Sequence, residues 1–81
     1  PRLFSRALVT RPFHWIHRPQ PVPGALHARI RHRQALQACQ AQALPDGRVR
    51  IEFERPQRAA VAGQYAVLYA GEECLGGGEI E

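Results

Sequence analysis

The chain has 81 residues, 44% of them hydrophobic, which suits one small domain with a thin core and argues against a disordered tail. Its net charge of +4 is carried unevenly, with seven Arg and no carboxylate in residues 1–45, and four Arg against seven acids in residues 46–81. No apolar run follows a charged start, and none approaches the roughly 20 residues of a membrane helix, so a soluble, cytoplasmic protein is expected.

The chain begins at Pro1 and contains no Met, as expected of a fragment or an excised domain. Residues 1–12 read as an entry segment from a preceding domain, with at most a helical turn around Leu3, Phe4 and Leu8 before Pro12. The domain proper is expected over 13–81. Phe13 to His17 alternates in part and reads as a strand. Pro19, Pro21 and Pro23, closed by Gly24, make an extended connection.

Residues 25–33 alternate: Leu26, Ala28 and Ile30 on one face, His27, Arg29, Arg31 and Arg33 on the other. Such a period of two means a half-buried strand. Residues 36–44 suit a helix by propensity, but their place before a hairpin signal favours a strand. That signal is Asp46-Gly47, the preferred pair of a type I′ turn. In Arg48–Glu54, Val49, Ile51 and Phe53 face inward, Arg48, Arg50, Glu52 and Glu54 outward, and Pro56 is expected to end the strand.

Gly63 resets the chain. Tyr65–Ala70 carries apolar residues on both faces, as a central or barrel-closing strand does. The last strand, from Cys74, contains Gly76-Gly77-Gly78, the mark of a bulge, a barrel corner or a close backbone approach. The sum is an all-β fold, a small closed antiparallel β-barrel of about six strands.

Several segments are specific. Arg29-Ile30-Arg31-His32-Arg33-Gln34 resembles a basic strand of the bacterial tRNA-specific 2-thiouridylase family. Asp46-Gly47-Arg48-Val49, Phe53, Pro56-Gln57-Arg58-Ala59, Gly63-Gln64, Ala66-Val67, Tyr69 and Cys74-Leu75-Gly76-Gly77-Gly78 follow the same family in order. Leu3-Phe4-Ser5-Arg6 and Trp15-Ile16 are similar to its entry. His32 stands where the family usually has Tyr, and Ala62 where it often has Pro.

The resemblance implies the C-terminal barrel of an enzyme that activates the wobble uridine of tRNA with ATP and replaces its 2-oxygen by sulfur. The ATP site and both catalytic cysteines of such enzymes lie in an N-terminal domain, so no catalytic residue and no cofactor is expected in this barrel. The implied partners are tRNA, the enzyme's own N-terminal and central domains and, through the whole enzyme, a sulfur-donor protein; no membrane is involved. The alternative is a purely structural module that packs on those domains without touching RNA.

Arg29, Arg31 and Arg33, joined by His27 and by Gln34 at the end of the motif, are the candidate RNA-binding residues. Guanidinium forks suit phosphate oxygens. Pattern alone equally allows a solvated strand face, or pairing with Glu52 and Glu54 of a neighbouring strand; the resemblance favours RNA. The triple glycine lacks the Lys-Ser/Thr of a phosphate loop. His14, His17, His27 and His32 with Cys39 and Cys74 match no zinc spacing, so no metal is expected. Cys39 and Cys74 read as reduced core residues rather than nucleophiles or a disulfide.

Overall fold

The computed structural model describes residues 4–16, 25–30, 34–58 and 63–81. Among them every regular element is a strand: β1 (Phe4–Val9), β2 (His14–Trp15), β3 (Ala25–Arg29), β4 (Gln37–Ala43), β5 (Val49–Arg58), β6 (Tyr65–Ala70) and β7 (Glu73–Glu79). No helix among these residues is long and apolar enough to cross a membrane. The strands form one sheet in the order β1-β5-β4-β3-β6-β7-β2, antiparallel at each pairing.

The all-β expectation holds, with seven strands rather than about six. Closure is only partial. The sheet keeps two edges, β1 and β2, and one antiparallel bridge, Thr10 to Ile80, ties its ends together. Around that bridge Arg11 N–H donates to Glu79 O at 2.7 Å and Glu81 N–H to Val9 O at 3.1 Å. Thr10 itself is fully buried; its N–H donates to Val49 O at 2.9 Å and its Oγ1 accepts from Val49 N–H at 3.2 Å. The ring stays open because β1 runs along β5 and touches the end of β7 only through the Thr10–Ile80 bridge just beyond both strands, while β2 pairs with Gly76 and Gly77 of β7.

The alternations read from the sequence set the core. Leu26, Ala28, Ile30, Cys39, Val49, Ile51, Phe53, Ala66, Leu68 and Ile80 are buried, with Leu8, Phe13, Trp15, Ala41 and Leu75 packed against them. Ile51 lies between Leu8 of β1 and Ala41 of β4 in the ladder, and burying a side chain of its size is worth about 1.5–3 kcal/mol. Val67, the neighbour of Leu68, is only half-buried, because its parity puts it on the outer face.

Several local expectations change. Phe4–Val9, read as an entry segment, forms β1 and pairs with β5. Pro56 lies inside β5 and does not end it. The β1 register jumps from Ser5–Gln57 to Ala7–Glu52, and pairing with β4 stops at Phe53, so Pro56 sits where no ladder needs its missing N–H.

The β4–β5 hairpin is not a type I′ turn. Gly47 N–H donates to Leu44 O at 3.0 Å, which makes Pro45 and Asp46 the central pair. Proline cannot adopt the positive φ that type I′ requires. Gly47, at φ 93°, follows as the left-handed residue of a three-residue loop, and Leu44 N–H closes it on Arg48 O at 2.8 Å. Asp46 accepts from Arg48 N–H and Nε, and the backbone donor above all holds its carboxyl below the usual range.

The triple glycine is a close backbone approach combined with a bulge. Leu68 pairs with Gly76 but Tyr69 with Cys74, so Leu75 is an extra residue. A Cβ on Gly76 would collide with His14 O, and one on Gly78 would lie 2.7 Å from Phe13 Cδ1. The room left by the missing side chains is filled by Phe13 and Trp15, whose rings sit 4.6 Å apart, tilted by 51°. The Trp15 region is therefore the strand expected from its sequence, shortened to His14–Trp15 among the described residues.

Candidate nucleic-acid interface

The outer face of β3 and β6 holds the described part of the basic cluster. His27 is exposed and lies opposite Tyr69 in the ladder; Arg29 is half-buried opposite Val67. The Arg29 guanidinium is fixed by Tyr69: Nη2 donates to the phenol oxygen at 2.8 Å, and the group lies 5.5 Å from the ring centroid. A cation held against a ring loses less freedom on meeting a ligand than a free side chain does. Arg31 and Arg33 lie outside the described residues, as do His17 and His32.

Gln34 has a different surrounding. Its Oε1 accepts from Ile30 N–H at 2.9 Å, and its Nε2 donates to Gln57 Oε1 at 2.9 Å. Gln57 in turn donates to Gln37 Oε1 at 3.3 Å and to Arg55 O at 3.0 Å. This glutamine chain satisfies the buried Gln57 amide and ties the segment after β3 to the end of β5. Sequence reasoning grouped Gln34 with the arginines; the partner that occupies its amide stands 23 positions away.

Among the described residues Arg29 makes no pair with Glu52 or Glu54. β4 separates β3 from β5, and Glu52 is bound to Arg50 on its own strand at 3.3 Å. The other described ion pairs are Arg11–Glu79 at 3.9 Å and Arg48 with Asp46 and Glu81 at 2.8 and 3.1 Å. All are exposed enough to contribute little stability. A shallow groove of about 240 Å³ on the β4–β5 outer face, lined by Gln40, Gln42, Arg50 and Glu52, falls below the usual size of a small-molecule site. Among the described residues no three metal-ligating side chains come together.

The cysteines differ from one another. Cys39 is a core residue, and burial, with a smaller push from Glu54, raises its thiol to about 11. Cys74 is half-buried and lies opposite Tyr69, so it is not part of the core as the sequence suggested. A soluble thiol reagent at pH 8 should label Cys74 in the folded protein and reach Cys39 only after denaturation. Since folded Cys39 stays protonated where the unfolded thiol ionises, its contribution to stability is present below about pH 9 and lost as pH rises toward 11. Labelling of both at equal rates would show that Cys39 is not enclosed.

A curled, partly closed antiparallel sheet of this kind defines a small domain of the β-barrel type. The chain belongs to the aminomethyltransferase β-barrel domain family, whose model matches residues 5–80. It is 52% identical over 82 residues to a tRNA-specific 2-thiouridylase MnmA of Halorhodospira halophila, covering 100% of this chain and 21% of that protein. It is 45% identical over 82 residues to the Dichelobacter nodosus protein of the same name, covering 100% and 22%. The corresponding Klebsiella pneumoniae protein is 42% identical over 83 residues, again covering 100% and 22%. The resemblance to the C-terminal domain of bacterial tRNA 2-thiouridylases is thus borne out, and the chain spans about a fifth of the length of these curated relatives.

Proposed function

We propose that this domain helps to bind and position tRNA for sulfur transfer to the wobble uridine, the chemistry being carried out by an ATP-dependent N-terminal domain of the same enzyme. The observation that carries this reading is Arg29, aimed outward on β3 and steadied by Tyr69, with no ion pair among the described residues. Arg31 and Arg33 join it on the strength of the sequence alternation. The relatives matched along the whole chain are thiouridylases, which supports sulfur transfer rather than the methyl transfer in the barrel family's name. The partners are tRNA, the enzyme's other domains and, through them, a sulfur donor; the setting is the cytoplasm. ATP belongs to the catalytic domain and not to this one.

The chain should bind tRNA with little sequence preference and with a steep salt dependence, since backbone contacts release counterions. Filter binding across a salt series measures this. Each of Arg29, Arg31 and Arg33 changed to Ala should lower the slope by about one phosphate. A triple variant that binds as the parent does would remove the arginine face from the interface.

A second reading, a packing module without RNA contact, draws on the exposed Phe4 and Ile16 beside the two sheet edges. It predicts that the triple Ala variant leaves tRNA affinity unchanged while the full-length enzyme loses domain packing.

A further inference from the structure

The outer face of β6 carries Tyr65, Val67 and Tyr69 in a row, because alternate residues of a strand share a face. The two tyrosines do different things. Tyr69 is half-buried and engaged with Arg29. Tyr65 is 62% exposed, the largest exposure among the big apolar and aromatic side chains described. It stands beside β7: a Cβ added at Gly77 would lie 3.8 Å from Tyr65 Cδ2. Glycine at that position puts no side chain of β7 against the ring there, and the ring stays largely exposed.

Charged residues flank Tyr65 in the ladders on both sides. Arg29 stands opposite Val67, diagonal to both tyrosines and within reach of long side chains across the ladder. On the far side Glu79 stands opposite Tyr65, and Arg11 lies 3.9 Å from that carboxylate and offsets it. An exposed aromatic ring on the same sheet face as a fixed guanidinium suits an unstacked nucleotide: the ring takes the base face, the cation the phosphate.

We infer that Tyr65 is a stacking platform for an unpaired nucleobase of the bound RNA, with Arg29, held by Tyr69, receiving the adjoining phosphate. This rests on the RNA reading above and deepens it: the face selects single-stranded RNA at a loop or bulge, where bases can splay out, and not helical backbone alone.

The test uses a fluorescent oligouridine and a duplex RNA of equal length with the chain and its Tyr65→Ala, Tyr65→Phe and Arg29→Ala variants. Tyr65→Ala should weaken oligouridine binding by about tenfold or more, as loss of one base–aromatic stack does, and leave duplex binding within about twofold. Tyr65→Phe should bind oligouridine as the parent does, since the ring and not the hydroxyl makes the stack. Melting temperatures within a few degrees of the parent would show that Tyr65→Ala acts on binding and not on folding. If Tyr65→Ala binds oligouridine as the parent does while Arg29→Ala lowers the salt slope, the stacking inference fails and the electrostatic reading stands. If neither RNA is retained by the parent chain, both fall. If Tyr65→Ala leaves RNA binding intact and instead loosens domain packing in the full-length enzyme, the platform is a protein contact and the inference is overturned.

Discussion

Ile51→Ala is expected to lower the melting temperature by about 10 °C or more. Ile51 is fully buried and bridges two strand pairings, with Leu8 on one side and Ala41 on the other. Truncations of this kind cost about 2–5 kcal/mol, transfer and cavity terms together. A domain of this size holds on the order of 4–12 kcal/mol in all. Each kcal/mol moves the midpoint of so small a domain by about 4–8 °C. The exposed neighbour Glu52, changed to Ala, should stay within about 0.5 kcal/mol of the parent. Circular dichroism melts of the two variants decide the matter: an Ile51→Ala protein that melts with the parent would mean that the sheet does not enclose this side chain.

Gly76→Ala should be nearly as damaging, for a backbone reason. The added Cβ would collide with His14 O and come within 3.1 Å of Trp15 Cα, so β2 must leave its place on β7. Overpacking alone costs about 1–3 kcal/mol, and here the obstacle is main chain that cannot rotate away. Because Trp15 is the sole tryptophan, its fluorescence should shift to the red as the indole loses its seat beside Phe13. Gly71→Ala is the control: it also has a positive φ, 61°, but nothing lies within 4 Å of its Cβ. Strain there should cost only about 1–2 kcal/mol. Equal losses at the two positions, with no change in Trp15 emission, would show that backbone strain and not contact with β2 holds Gly76 in place.

Much of this was open to inspection in the linear chain. The alternation Val49-Ile51-Phe53 and that of Leu26-Ala28-Ile30 name core residues directly, because a strand's two faces are set by local geometry and need no knowledge of neighbours. The ordered family segments from Arg29 to Gly78 pointed to the domain family that the comparison found over residues 5–80. The outward placement of His27 and Arg29 followed from the same parity.

What the chain by itself determined, then, is strand periodicity, the inward set of side chains and the family. What only the tertiary structure decided depends on which strands become neighbours. Propensity and spacing do not reveal that Arg29 is captured by a tyrosine 40 positions away, or that Gln34 closes on Gln57 and not on a ligand. Nor do they show that Pro56 is tolerated because both ladders lapse beside it, that Pro45 overrides the Asp-Gly turn preference, or that the sheet's ends meet at the Thr10–Ile80 bridge. Each of these outcomes is a contact between distant segments or a competition between two local preferences. Such outcomes are settled by the order β1-β5-β4-β3-β6-β7-β2, since that order alone sets which backbone groups and side chains can reach one another.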